Sequence, residues 1–242
     1  MSGHSKWATT HRKKELIDAK RSAIFTKFSN NIILAARQGG GDIDANFKLR
    51  LAIEKAREIN MPKDNIDRAV KKGTGQLNGA VFEEIFYEGI GPAKSAFIVE
   101  VVSDNKNRIV AEIKQIFSKY GGNLCSSGCV SWQFEQKGVI SFSAENYIKK
   151  REEIELGLID AGAEDIKERE EVVEVLTAVP DLQKIKEAVE KFGLKIKSAA
   201  LEWVPKEKVK IDNKEDKNKI ENFMDALDDN SDVQNFYTNV DI

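Results

Sequence analysis

The side chains best suited to chemistry in this sequence are basic residues gathered around a tryptophan near its start. Lys and Arg side chains that approach phosphates release bound counterions, which gives affinity for a polyanion without sequence preference. An indole can stack on a nucleobase. The alternative interpretation is a solvated helical face with ordinary ion pairs. The residues concerned are Lys6, Trp7, Arg12, Lys13, Lys14, Lys20, Arg21 and Lys27.

The charge distribution along the chain separates these two interpretations. Residues 1–75 hold 16 Lys and Arg against 8 Asp and Glu, a net charge of +8. The remaining residues hold 22 basic against 32 acidic side chains, a net charge of −10, so the overall value of −2 hides the asymmetry. An ordinary solvated face mixes both signs, and the imbalance therefore favours a surface reserved for a polyanion.

Metal coordination finds little support in the sequence. His4 and His11 lie seven residues apart with no third ligand nearby, whereas a zinc site needs at least three protein ligands. The run 42–46 resembles the opening of a calcium loop, which requires Gly at its sixth position and Glu at its twelfth. Those positions hold Phe47 and Ile53. Asp44 or Asn46 is better interpreted as a helix cap.

Catalytic motifs are equally weak. Gly73–Gly75 lacks the Lys-Ser/Thr ending of a phosphate loop. Cys125 and Cys129 lie among small residues, which we interpret as a connection into a strand. One pair of cysteines predicts neither a disulfide framework nor a zinc site. We therefore expect no enzyme activity, no cofactor, no metal and no small-molecule substrate.

Helices are predicted to position the basic residues. Phe25, Phe28, Ile32 and Ala36 follow helical spacing, and the glycines at 39–41 should end that helix. A second helix is predicted from Asn46 to Asn60, and Pro62 can open a short third one.

Four basic side chains flank the apolar stripe of the second helix. At 100° per residue, Arg50 and Arg57 border one side of the stripe, and Lys48 and Lys55 border the other. This helix can therefore pack against the core and present cations to a ligand at the same time, which makes these four residues candidate contacts.

The hydrophobic period changes to two after Gly75, which predicts strands. Residues 138–204 follow the order β-α-β-β-α-β, with strands predicted separately at Val130–Phe134 and Gly138–Ser143. The pieces before and after this unit are each incomplete, so closing them into one domain is the economical solution. We predict an α+β fold with a helical N-terminal domain at 1–78. A second α+β domain comprises 79–136 plus 206–242, and a ferredoxin-like domain at 137–205 is inserted into it.

Eight short motifs occur along the chain in a fixed order. In this order they closely resemble the motifs of the YebC/PmpR family of probable transcriptional regulators, to which a mitochondrial translational activator also belongs. Cys125 and Cys129 stand where that family usually has other small residues. The motifs are Gly3–Trp7, Phe25–Lys27, Asn60–Asn65, Lys71–Gly75, Tyr87–Gly89, Asp104–Arg108, Gly121–Leu124 and Ser127–Val130.

The resemblance implies the same three-domain arrangement, a cytoplasmic location and binding to DNA. For other members it implies action on translation, with ribosomal or messenger RNA or the ribosome as the partner. The charge map fits both. The start of the chain lacks the apolar run of a signal peptide and no run of about 18 apolar residues is present, so we expect neither export nor a membrane span.

Overall fold

The computed structural model describes residues 18–77, 81–169 and 171–241. Within the described residues, the first elements are the helices α1 (Asp18–Gly39), α2 (Phe47–Glu58) and α3 (Lys63–Gly73). Their apolar positions recur at helical spacing and enclose a core that includes Ile32, Leu49, Ile53 and Ile66. Phe82 and Val102 from the following sheet join this core. The helices therefore pack against the first sheet rather than forming a separate cluster.

The first sheet is built from sequence segments on both sides of a long insertion. Strands β1 (Glu83–Ile90) and β2 (Ala96–Ser103), helix α4 (Lys106–Lys119) and strand β3 (Asn123–Cys125) precede the insertion. Strand β8 (Val209–Lys210), helix α8 (Lys214–Asp228) and strands β9 (Val233–Thr238) and β10 (Val240–Asp241) follow it. The strand order is β3-β1-β2-β9, and β9 runs antiparallel to β2. β8 and β10 form a separate parallel pair.

One core covers a face of this sheet. Helices α4 and α8 contribute Phe117 and Phe223, whose ring centroids lie 4.8 Å apart. Phe97 of β2 meets Phe223 edge to face at 4.9 Å, a favoured arrangement for aromatic pairs. Segments separated by the insertion thus share one hydrophobic core.

The insertion forms a second four-stranded sheet. Its strands are β4 (Phe134–Ser143), β5 (Ala163–Arg169), β6 (Val172–Thr177) and β7 (Ile196–Pro205), in the order β5-β6-β4-β7. Its helices are α5 (Ala144–Tyr147), α6 (Arg151–Asp160) and α7 (Leu182–Lys191). The order β-α-β-β-α-β with this strand arrangement is the ferredoxin-like pattern.

The predicted fold class is confirmed, because an N-terminal helical region precedes two sheets that are each packed with helices. In sequence, the segment that forms the second sheet is inserted between the segments that form the first. The described residues up to Phe134 and from Pro205 onward form one compact unit, and those of Glu135–Val204 form another. The three predicted domain ranges stay predictions, since the helices and the first sheet fall in one unit. No helix among the described residues is long and apolar enough to span a membrane.

One predicted strand is wrong. Val130–Phe134 does not form a separate strand, because residues 131–133 make a 3₁₀ turn and β4 begins only at Phe134. The buried carboxylate of Glu88 accepts hydrogen bonds from the backbone N–H groups of Val130 and Ser131. Those N–H groups are therefore not available to a sheet ladder.

Candidate nucleic-acid interface

Asn46 fixes the junction between α1 and α2. Its side-chain oxygen accepts from the backbone N–H of Leu49 at 3.1 Å, which caps α2. Its Nδ2 donates to the carbonyls of Ala35 and Gly40, both at 2.8 Å, at the end of α1. Of the two predicted caps, Asp44 and Asn46, the structure has Asn46 as the cap of α2, and the same side chain also satisfies carbonyls at the end of the preceding helix.

The four cations predicted on α2 have different surroundings. Arg57 is exposed, and Lys55 is half-buried. The Nζ of Lys48 lies 3.3 Å from Oε1 of Gln38. Arg50 bends back over the Phe47 ring, with its guanidinium carbon 5.3 Å from the ring centroid. Arg57 is therefore the only one of the four that is exposed and makes no side-chain contact of this kind with the described residues.

Lys48 also lies close to a carboxyl group of the first sheet. Burial and the neighbouring Glu100 raise the pKa of Glu84, and the positive charge of Lys48 partly offsets that rise. The positive charge of Lys48 thus interacts with the carboxyl group of Glu84 within the protein. We expect it to contribute less to an anion surface than Arg57 does.

Lys27 has an internal partner. Its Nζ lies 2.6 Å from Oδ1 of Asp228 at the end of α8, and its side chain is 17% exposed. This ion pair joins residues 201 apart in sequence, and it holds α1 against α8. We therefore do not count Lys27 among the cations that are open to a ligand.

Several predicted contacts lie where the structure gives no side-chain information. Lys20 and Arg21 fall in the first turns of α1, where only the backbone is described. The remaining predicted contacts lie outside the described residues, namely Lys6, Trp7, Arg12, Lys13 and Lys14.

Helix α3 contributes cations that the sequence analysis missed. Lys63, Arg68 and Lys71 are all exposed, while Ile66 and Ala69 of the same helix are buried. Part of the signal was present in the spacing, because Lys63 and Lys71 lie eight positions apart and so fall on the same side of the apolar row, with Asp67 between them. Arg68 lies nearly opposite the apolar row at 100° per residue, so its position beside Lys63 and Lys71 was not indicated in this way.

Four cations of α2 and α3 form no ion pair, side-chain hydrogen bond or ring contact with any residue the structure describes. They are Arg57 of α2 and Lys63, Arg68 and Lys71 of α3. We call these four residues the α2–α3 basic face. By contrast, Arg37 donates to the carbonyl of Phe82, and Lys72 lies over the Phe82 ring at 4.4 Å. Cations on the side toward the sheet are thus used in packing, whereas the basic face remains open to solvent.

Three members of the basic face border one cleft. Arg57, Lys63 and Lys71 line an open cavity of about 420 Å³ between α2, α3 and the loop that precedes α2. Asp67 also lines this cleft. Among the described residues, no group of three or more His, Cys, Asp or Glu side chains is arranged to hold a metal ion.

Comparisons with known proteins cover nearly the whole chain. Residues 5–76 match the family model described as the TACO1/YebC protein N-terminal domain. Residues 82–240 match the model described as the TACO1/YebC second and third domain. The basic face therefore lies within the matched N-terminal domain.

Relatives with full-length matches include probable transcriptional regulatory proteins. The one from Thermoanaerobacter pseudethanolicus is 48% identical over 242 residues, which is 100% of this chain and 98% of the relative. The one from Syntrophus aciditrophicus is 50% identical over 243 residues, covering 100% and 96% of the two chains. The crystal structure of a conserved hypothetical protein from Aquifex aeolicus has a TM-score of 0.82 and 41% identity. That match covers 98% of this chain and 97% of the other.

Proposed function

The chain belongs to the TACO1/YebC family, and from this premise and its α2–α3 basic face we propose that it is a nucleic-acid-binding regulatory protein. The observation that carries the proposal is the cluster of exposed cations at Arg57, Lys63, Arg68 and Lys71, which lack ion pairs within the described residues. Cations of this kind bind phosphates and release counterions. The proposed function is binding and not catalysis. We propose the cytoplasm as its location.

We further propose DNA as the partner. The relatives at about 48% identity carry names that refer to transcriptional regulation, and binding to DNA is a common way in which proteins regulate transcription. The basic face would lie on the phosphates and set the position of the protein, while base contacts would have to come from other groups. Lys48, Arg50 and Lys55 lie on α2, the helix that carries Arg57. Together with the basic residues predicted before Lys27, they complete the proposed contact region.

The electrostatic part of this proposal is tested by reversing charge on α3. The double variant Lys63→Glu/Lys71→Glu should weaken binding to all sequences alike. It should also lower the slope of log affinity against log salt by about 2, roughly one per phosphate contact. Fluorescence anisotropy with a labelled duplex over a salt series provides both quantities.

A matched double variant controls for net charge. Lys195 and Lys197 are exposed on the inserted unit and form no ion pair within the described residues. Lys195→Glu/Lys197→Glu therefore changes the charge by the same amount at a different place. Equal losses of affinity in the two double variants would show a general charge effect and refute the proposed face.

The choice of DNA is tested in cells. The protein is crosslinked to nucleic acid during growth, and the bound material is sequenced. Enrichment of promoter DNA that disappears in Lys63→Glu/Lys71→Glu is the expected result. Reads that come mainly from ribosomal or messenger RNA would refute DNA as the partner and leave the translational alternative.

A further inference from the structure

The cleft beside the basic face has an apolar interior. Ile53 of α2, Met61, and Ile66 and Val70 of α3 line its floor. Its volume of about 420 Å³ falls within the range of roughly 300–1,000 Å³ typical of small-ligand sites. The size and lining are therefore suited to a compact apolar group.

An exposed isoleucine stands at the mouth of this cleft. Ile43 lies in the loop between α1 and α2, lines the cleft, and is 40% exposed. Its apolar surface is thus left in contact with water although a sheltered cavity lies beside it. A flat apolar ligand entering the cleft would cover this side chain and gain the free energy of its burial.

The charges around the cleft distinguish between kinds of ligand. Lys63, Asp67 and Lys71 lie four residues apart on α3, so they form one row about 12 Å long beside the apolar floor. Arg57 faces them from α2. The carboxylate of Asp67 forms no ion pair within the described residues. A phosphate placed beside Asp67 would be repelled, whereas a neutral ring with amino donors could hydrogen-bond to it.

We propose that this cleft binds an unpaired base of single-stranded DNA or RNA, with the flanking phosphates on Arg57, Lys63 and Lys71. The proposal rests on the proposed nucleic-acid function and deepens it. The base would pack against Ile43 and the apolar floor, and its amino group would donate to Asp67. A polyanion with apolar rings matches a cleft that is basic at the rim and apolar inside.

The test compares strands with and without bases. The probes are fluorescein-labelled oligodeoxycytidine of about 12 nucleotides, one site by the usual size, and the same strand with abasic central positions. The full-length protein should bind the intact strand about fivefold more tightly, since contacts to one base contribute at least this much. Anisotropy at fixed salt gives both affinities.

Ile43→Ser should remove most of that difference while leaving affinity for the abasic strand unchanged. The matched control is Ile159→Ser, since Ile159 is 56% exposed on the inserted unit. That variant should keep the fivefold ratio. The same measurement with oligocytidine RNA of the same length shows whether the site prefers the DNA or the RNA backbone. The proposal requires that either the DNA strand or the RNA strand binds more tightly when its bases are present.

A second pair of variants tests the carboxylate. Asp67→Asn and Asp64→Asn change the charge equally on one helix, but only Asp67 lines the cleft. Asp67→Asn should reduce the ratio of intact to abasic affinity, whereas Asp64→Asn should preserve it. Equal reduction by both variants would refute the role of Asp67.

Failure of this inference and failure of the proposed function give different results. If the protein binds intact and abasic strands equally, yet Lys63→Glu/Lys71→Glu weakens both, the cleft takes no base and the basic face still binds phosphates. If no nucleic acid is bound and charge reversal has no effect, the proposed function itself fails.

Discussion

Glu88 shows how one side chain organises a loop. It is 8% exposed, and its carboxylate accepts hydrogen bonds from the backbone N–H groups of Gly128, Val130 and Ser131 at 2.7–2.9 Å. Burial raises the pKa of Glu88, but these hydrogen bonds outweigh it and hold the pKa below the ordinary glutamate value. The ionised form is therefore the one that stabilises the loop.

Glu88→Gln should lower the free energy of unfolding at pH 7 by about 1–3 kcal/mol, because an amide cannot accept all three bonds as strongly. A carboxyl group with a lowered pKa contributes stability above its unfolded-state pKa, and the contribution is lost as pH falls through the folded-state value. The deficit of the variant should therefore shrink below about pH 4.

The measurement is urea unfolding over a pH series, combined with amide hydrogen exchange at Gly128, Val130 and Ser131. Glu207→Gln, at an exposed position without an ion pair in the described residues, provides the control and should leave both readouts unchanged. A deficit that is the same at every pH would contradict the role assigned to the charge.

At the residue scale, the sequence predicted local roles better than distant ones. Asn46 was predictable as a cap because the signal lies within three residues of it. The partner of Lys27 was not predictable, since Asp228 lies 201 positions away. The cysteines give a similar result: the Cα atoms of Cys125 and Cys129 lie 6.3 Å apart and the sulfurs are bonded in the structure, whereas spacing alone predicted only a connection.

At the scale of elements, helix α3 packs tightly against α1 at a glycine. A Cβ atom added to Gly73 would lie 2.4 Å from the carbonyl oxygen of Ile33 and 2.7 Å from the Cβ of Ala36. Neither contact is tolerable without a shift of the backbone. Gly73 therefore determines how near α3 can come to α1, and with it the position of the cleft between α2 and α3.

Gly73→Ala should destabilise the protein by about 1–3 kcal/mol, the usual range for overpacking. The loss should outweigh the gain of up to about 1 kcal/mol that alanine brings to a helix. Thermal unfolding of the purified variant measures the difference. Arg68→Ala on the same helix should stay within about 0.5 kcal/mol of the wild type. A more stable Gly73→Ala variant would contradict the close packing of α1 and α3.

The sequence predicted the existence of most elements, since their apolar periods are clear, but not the short strands. β3, β8 and β10 have two or three residues each, too few to display a period of two. Gly73 is the last residue of α3 and is fixed by its contact with α1, a role that the local sequence around Gly73–Gly75 does not indicate. The periodicity of an element can be recognised within one segment of sequence. A contact between two elements depends on both segments and cannot be predicted from either one.

At the scale of the whole molecule, the chain leaves the first unit and returns to it at neighbouring points. The backbone N–H of Lys206 donates to the carbonyl of Gln133 at 2.9 Å, and the Nζ of Lys206 donates to the carbonyl of Trp132 at 3.0 Å. These residues flank the segment Glu135–Val204. A short connection could therefore replace that segment without separating the ends of the first sheet.

Replacing residues 135–204 by a short Gly-Ser linker should leave the first unit folded. Its sheet and the core around Phe97, Phe117 and Phe223 contain no residue of the replaced segment. Amide exchange in β2 and affinity for nucleic acid should stay within about threefold of the full chain, because closing a short loop adds little entropy cost.

The opposite truncation, which ends the chain at Val204, removes β9 and α8 and with them Phe223 and Phe236. That variant should lose protection in β2 although it keeps an uninterrupted sequence. If the linker variant unfolds while the truncated chain remains protected, the first sheet does not depend on segments from both sides of the insertion.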